Sequence, residues 1–151
     1  MRFTIARSMS VAAKAQPFGR YLLHERIGIG GMAEVFRATY RTEGDFEKTL
    51  VIKRIAAHLA EQEEFVRLFR EEAALTARLN HANIVQVFDF GRVGPRDYFI
   101  AMEYVAGTNL ARVLNRQSES KPTRLPPEVG LYVVLEACLS LIHISEPTRP
   151  Y

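Results

Sequence analysis

The sequence predicts an α+β fold in which an antiparallel sheet comes first and helices follow. Three strand-like segments, residues 21–29, 34–41 and 46–55, succeed one another with short connections. A helical stretch without Gly or Pro, residues 59–79, separates them from two further strand-like segments at 83–91 and 96–105. After these, only helical patterns remain. A doubly wound parallel sheet would alternate strand and helix along its whole length, and this chain does not.

Each element has its own signal. "YLLHERIGI" and "EVFRATYR" flank a glycine turn, and the polar "TEGD" separates the second strand from "FEKTLVIKRI", rich in alternating and β-branched residues. In "LAEQEEFVRLFREEAALTARL" an apolar stripe of Phe65, Leu68, Phe69, Leu75 and Leu79 recurs at helical spacing. "NIVQVFDFG" and "RDYFIAMEYV" are joined by the turn "RVGP". "GTNLARVLNRQ" reads as a short helix and "SESKPTRLPP" as a loop. "PEVGLYVVLEACL" opens an apolar helix, with proline tolerated in its first turn.

With 151 residues, 48% of them hydrophobic, the chain has enough apolar material for one ordinary domain. Its 20 basic and 17 acidic side chains give a net charge of +3, but Arg2, Arg7, Lys14 and Arg20 stand in an acid-free first stretch. The body is therefore close to neutral, without the basic face that a nucleic-acid partner requires. The single cysteine, Cys138, excludes an internal disulfide and a Cys-rich metal site. No apolar run reaches the roughly 18 to 20 residues that span a bilayer, so no membrane segment and a cytoplasmic location are expected. Residues 1–17 read as a disordered basic lead-in rather than a secretory signal.

Two charged residues stand where apolar ones belong. Alternation along "LVIKRI" puts Val51, Lys53 and Ile55 on one face of a strand. Glu72 falls within the helical stripe, whereas Glu71 points about 100° away. Either charge buried alone would cost several kcal/mol, so each needs a partner, a charged ligand, or an escape to water along its own stem. Upstream, Gly28, Gly30 and Gly31 crowd into four positions, a pattern that lets a backbone approach phosphate closely or simply makes a tight turn.

Taken together, "IGIGGMAEVFRA", "VIK", "FREEAALTARLNHANIV" and "YFIAMEYVAG" resemble the small lobe of a eukaryotic-like (Hanks-type) protein kinase, nearest to the bacterial serine/threonine kinases. The resemblance covers about residues 18–138. It implies a five-stranded antiparallel sheet with one helix, followed by the truncated beginning of a helical large lobe. It further implies ATP as cofactor, Mg2+ as companion ion, and a protein serine or threonine as phosphoryl acceptor. Position by position, Ile27 and Val35 would pack on adenine, and Gly28, Ile29, Gly30, Gly31, Met32, Ala33 and Glu34 form the nucleotide loop. Lys53 would meet the α- and β-phosphates and pair with Glu72, the two forming the catalytic ion pair. Met102 would stand beside the adenine, Glu103 and Val105 would offer backbone groups to the base, and Asn109 would reach the ribose. Ala33 replaces the third glycine of G-x-G-x-x-G. That replacement, and a strand rather than a helix after the loop, tell against a dinucleotide-binding unit.

A second triplet misleads. Asp89, Phe90 and Gly91 spell the kinase magnesium motif, but it precedes Met102 and so stands too early to serve. After Cys138 the resemblance stops: no H-R-D-type catalytic loop and no later D-F-G follow, so magnesium ligands are expected to be missing and the fragment to be inactive. Residues 139–149, "LSLIHISEPTR", instead resemble a translated transposon-based sequencing adapter, which marks 139–151 as an expected non-native tail. The competing reading is a non-catalytic, pseudokinase-like ATP-binding or docking module.

Overall fold

A computed structural model describes the backbone of residues 15–41, 47–119 and 126–145. Residues 1–14 of the expected disordered lead-in, the "TEGD" connection, most of the "SESKPTRLPP" loop and the end of the tail fall outside these residues. Gln16 and Pro17, expected in that lead-in, are instead ordered as strand, pairing with Leu23 and Leu22.

The strands are β1 (Gln16–Phe18), β2 (Tyr21–Ile29), β3 (Ala33–Arg41), β4 (Glu47–Ile55), β5 (Val87–Val93) and β6 (Asp97–Glu103). The helices are α1 (Glu63–Ala77), α2 (Leu110–Glu119) and α3 (Pro127–Ser145). The α+β class holds, but the sheet has six strands rather than five, in the order β1-β2-β3-β4-β6-β5, with every neighbour antiparallel. The extra strand is β1. Gly19, at φ +56°, turns the chain in two residues so that Phe18 faces Tyr21. A three-residue strand carries too little alternation to stand out in the sequence.

The chain divides into two compact units. One runs through Arg78 and includes Gln86–Tyr104; the other comprises Leu79–Val85 and the residues from Val105 onward. In the first unit each sheet face supports its own core. One holds Phe18, Tyr21, Leu23, Ala38, Leu50, Ile52, Phe99 and Ala101. The other holds Ala33, Ile55, Ala56, Leu59 and Ile100 against Phe69 and Ala73 of α1. Alternation explains the division, since odd and even residues of β4 serve opposite faces.

Helix α1 corrects the expected stripe. Phe69 and Ala73 are buried and Phe65 and Val66 partly so, whereas Leu68 and Leu75 are exposed. The inward face thus follows Phe65, Phe69 and Ala73, an i, i+4, i+8 row.

The sheet curls until its ends meet. Tyr21 Oη donates to Asp89 Oδ2 at 2.8 Å, and Arg20 Nη2 donates to the same oxygen at 2.7 Å, which ties the β1–β2 turn to edge strand β5. Inside the curl, Phe99 meets Phe18 and Tyr21 edge-on, with ring centroids at 5.5 and 5.4 Å. Gly91 leaves room for that ring: a Cβ there would lie 2.9 Å from Phe99. Burial, aided by the bond to Asp89, pushes the Tyr21 hydroxyl up to about 12.

In the second unit, Asn83 Nδ2 donates to the Glu136 carbonyl at 3.1 Å and to its carboxylate. Helix α3 exposes Leu131, Tyr132, Val134, Leu135 and Leu141. No helix among the described residues is long and apolar enough to cross a membrane.

Replacing the fully buried Phe69 by alanine is expected to cost about 3–5 kcal/mol in a denaturant titration, and Leu75→Ala less than about 0.5 kcal/mol. The hydroxyl of Tyr21 has a raised folded-state pKa, so its contribution is complete below about pH 10 and is lost as pH rises toward about 12. Thermal melts of Tyr21→Phe should therefore lose less stability across that window than the parent protein does.

Candidate functional site

The register of β4 positions the central side chain. Val35, Lys53 and Ile100 lie opposite one another on β3, β4 and β6, with Val51 and Met102 paired one step along the same face. This is the face that receives α1. Lys53 is 4% exposed, and its ammonium lies 5.7 Å from the centroid of the Phe69 ring. It donates to Glu72 Oε1, whose side chain remains 42% exposed.

The pair is therefore asymmetric: the cation is buried, and the carboxylate reaches it from the rim of the apolar face. Both had been expected within apolar faces, which is true of Lys53 only. Glu71 points outward, where it accepts from Arg67 at 2.8 Å. Removing Glu72 would leave a buried ammonium without this counter-charge, a loss of several kcal/mol.

The glycine stretch forms the β2–β3 turn. Gly30 N–H donates to the Ala33 carbonyl at 2.8 Å, and Ala56 N–H donates to the Met32 carbonyl at 2.9 Å, tying the turn to the end of β4. Ala33, in the place of the third glycine, is 2% exposed and belongs to the α1-side core, which accounts for a side chain there. None of Gly28, Gly30 and Gly31 has a positive φ. A Cβ at Gly31 would meet nothing within 4 Å, so neither backbone conformation nor crowding in the fold demands glycine at that position. Ile27 is half-buried, and Ile29 is exposed.

Glu34 faces the other way. Its carboxylate accepts from Arg26 and, at 2.9 Å, from Arg54, on the sheet face opposite Lys53. Burial works to raise its pKa, but the two guanidiniums outweigh burial and hold it below the usual carboxylate range. Any contact of this residue with a ligand on the Lys53 side would have to come from its backbone.

Met102 is partly buried against the α1-side core. The Glu103 N–H donates to the Gln86 carbonyl at 2.9 Å, which anchors the end of β6. Val105 and Asn109 belong to the other unit. Val105 is exposed, and Asn109 Oδ1 accepts the Arg112 N–H at 2.8 Å as the cap of α2. That oxygen, expected at a ribose, serves the helix.

Asp89 is structural. Burial tends to raise its pKa, but the bonds from Tyr21 and Arg20 together lower it, and its neighbour Phe90 packs on Phe69 with centroids 6.4 Å apart. Among the described residues no group of three His, Cys, Asp or Glu side chains is placed to hold a metal ion. Three features were missed from sequence: the Tyr21–Asp89 clasp, the Phe69–Phe90 contact and the Arg26–Glu34–Arg54 cluster. Only the last left a legible signal, opposite charges at positions of matching parity on adjacent strands.

This arrangement of loop, buried lysine and helix glutamate has counterparts elsewhere. A family profile described as the protein kinase domain matches residues 21–143. The chain belongs to the protein kinase family. This kinase chain is 40% identical over 134 residues to the tyrosine-protein kinase MasK of Myxococcus xanthus, covering 89% of its own length. It is 38% identical over 113 residues to the serine/threonine-protein kinase pkn3 of Myxococcus xanthus, covering 73% of its own length. It spans 20% of the length of each of these relatives. Its fold superimposes on the crystal structure of the PknI kinase domain of Mycobacterium tuberculosis with a TM-score of 0.67 at 27% identity, covering 89% of this chain and 52% of that one. Members of the family use ATP and Mg2+ and act on proteins.

Because nothing in the fold requires glycine at position 31, Gly31→Ala is expected to change stability by no more than about 1 kcal/mol, in the stabilising direction if at all. A thermal melt of the ligand-free chain checks this.

Proposed function

We propose that this chain is the ATP-binding N-terminal part of a bacterial serine/threonine protein kinase. The observation that carries the reading is the buried Lys53 ammonium held by Glu72 on the face that also presents Val35 and Met102. An ammonium fixed in that way is a preorganised positive charge for phosphate oxygens. The open space beside Gly31 leaves room for a phosphate chain close to the backbone. Ile27, Val35 and Met102 supply apolar surface for a base. The Glu103 N–H is committed to Gln86, so a backbone contact of Glu103 with that base would fall to its carbonyl; this contact, like those of Val105 and Asn109, follows by resemblance.

ATP supplies the transferable phosphoryl group. The chain's own part is to bind and orient: the glycine loop covers the phosphates, and Lys53 draws the α- and β-oxygens into line. The groups that would hold the metal and orient the acceptor hydroxyl lie outside the residues assigned above. Turnover is accordingly proposed for the whole protein, acting on protein substrates in the cytoplasm, and not for this fragment. Residues 139–151 are proposed to be non-native, on the strength of eleven consecutive residues matching a translated adapter. Resequencing the gene through codon 151 tests this, and a native continuation into "SEPTRPY" would refute it.

In the complete gene product, Lys53→Met is expected to lower ATP-dependent protein phosphorylation by about 100-fold or more, while leaving the protein folded. Identifying the phosphorylated residue also decides the acceptor, because MasK is named a tyrosine kinase and pkn3 a serine/threonine kinase. ATP binding without any transfer by the complete product would favour the pseudokinase-like reading.

A further inference from the structure

On the sheet face away from Lys53, three strands are joined by charge. Arg26 on β2 donates to Glu34 Oε1, and Arg54 on β4 donates to Glu34 Oε2 at 2.9 Å. Arg54 also lies 3.9 Å from Asp97 of β6 and 5.1 Å from the centroid of the Phe36 ring. The nucleotide reading uses none of these side chains.

Their placement is informative. Arg26 and Glu34 are the stems on either side of the glycine turn, and Arg54 follows Lys53 in β4. Glu34 and Arg54 are direct cross-strand partners, one position from the Val35–Lys53 pair. The β2–β3 ladder is irregular here, with register shifts on both sides of Arg26, between Leu23 and Arg26 and between Arg26 and Gly28. Backbone pairing alone therefore holds the first stem loosely, and the Arg26–Glu34 contact spans that gap. At the end of the β3–β4 ladder, the backbone hydrogen bond from Ala56 N–H to the Met32 carbonyl makes a second tie between loop and β4.

We propose that the Arg26–Glu34–Arg54 cluster is a positioning strap: it holds the glycine loop in register with Lys53 and thereby sets affinity for a nucleoside triphosphate. The inference rests on the nucleotide reading above for its ligand, though not for its effect on the loop. The strap acts through the loop and touches no substrate. Glu34 and Arg54 are each 22% exposed, shielded enough for the contacts to persist in salt. A one-residue slip of β3 would move Val35 to the wrong face, and the strap opposes such a slip.

The test uses the 151-residue chain, the fluorescent nucleotide mant-ATP, and hydrogen exchange of the backbone amides of residues 28–35. Glu34→Gln and Arg54→Gln should each speed loop exchange and weaken mant-ATP binding about five- to tenfold, as expected for losing a partly shielded ion-pair network. The double variant should be no worse than either single one, and Arg54→Lys should bind within about twofold of the parent. Arg26→Gln, a change at a more exposed site that leaves both cores intact, should shift both readouts in the same direction by a smaller factor. Unchanged loop exchange in all these variants would overturn the proposal, and so would exchange that rises evenly across the whole sheet. If Lys53→Met abolishes mant-ATP binding while the strap variants bind like the parent, the strap fails and the nucleotide reading stands. If Lys53→Met binds like the parent, the nucleotide reading fails, and the link between strap and affinity falls with it.

Discussion

The contact between Lys53 and Glu72 is the constraint to which the rest of the first unit answers. A lysine 4% exposed between Val51 and Ile55 is tolerable only with a counter-charge, and that counter-charge comes from a helix that must dock to deliver it. Docking depends on Phe69, buried beneath the Lys53 ammonium and packed against Phe90 of the edge strand. Phe90 in turn follows Asp89, the residue clasped by Arg20 and Tyr21. Sheet closure, helix seat and ion pair thus form one mechanical series, running from the first turn of the sheet to the candidate site.

The sheet separates two kinds of work. Its inner face, around Phe99, gives stiffness through close aromatic packing. Its α1 face gives a charged group a defined address in apolar surroundings. Glycine is used differently on each. Gly19 and Gly91 are required by the fold, one by its backbone angle and the other by a neighbouring ring, whereas Gly31 answers to neither demand.

Much of this was legible in the sequence because it is encoded locally. Alternation in "LVIKRI" put Lys53 on an apolar face, and the glycine spacing marked the turn between β2 and β3. What escaped was long-range or too short to show a period. Strand β1 has three residues, and the partners in the clasp are separated by 68 and 69 positions. The helical stripe was misread at Leu68 and Leu75 because hydrophobic identity alone does not say which side a sheet will cover. Asn109 illustrates a different limit, for an amide that can serve a ligand can equally cap a helix. The "DFG" triplet stands too early in the chain for the magnesium motif, and the structure gives a reason for an acid there: it closes the curl.

The strand order has a consequence for synthesis. Strand β4 pairs with β6, so when β4 leaves the ribosome its outer edge, carrying Leu50, Val51 and Ile52, has no partner until a helix and another strand have followed. During that interval the nascent polypeptide displays a bare, apolar hydrogen-bonding edge of the kind that recruits neighbouring chains. A ribosome that stalls between Ile55 and Asp97 would release a half-built meander prone to aggregate, which makes the arrival of β6 the commitment point in the life of this lobe.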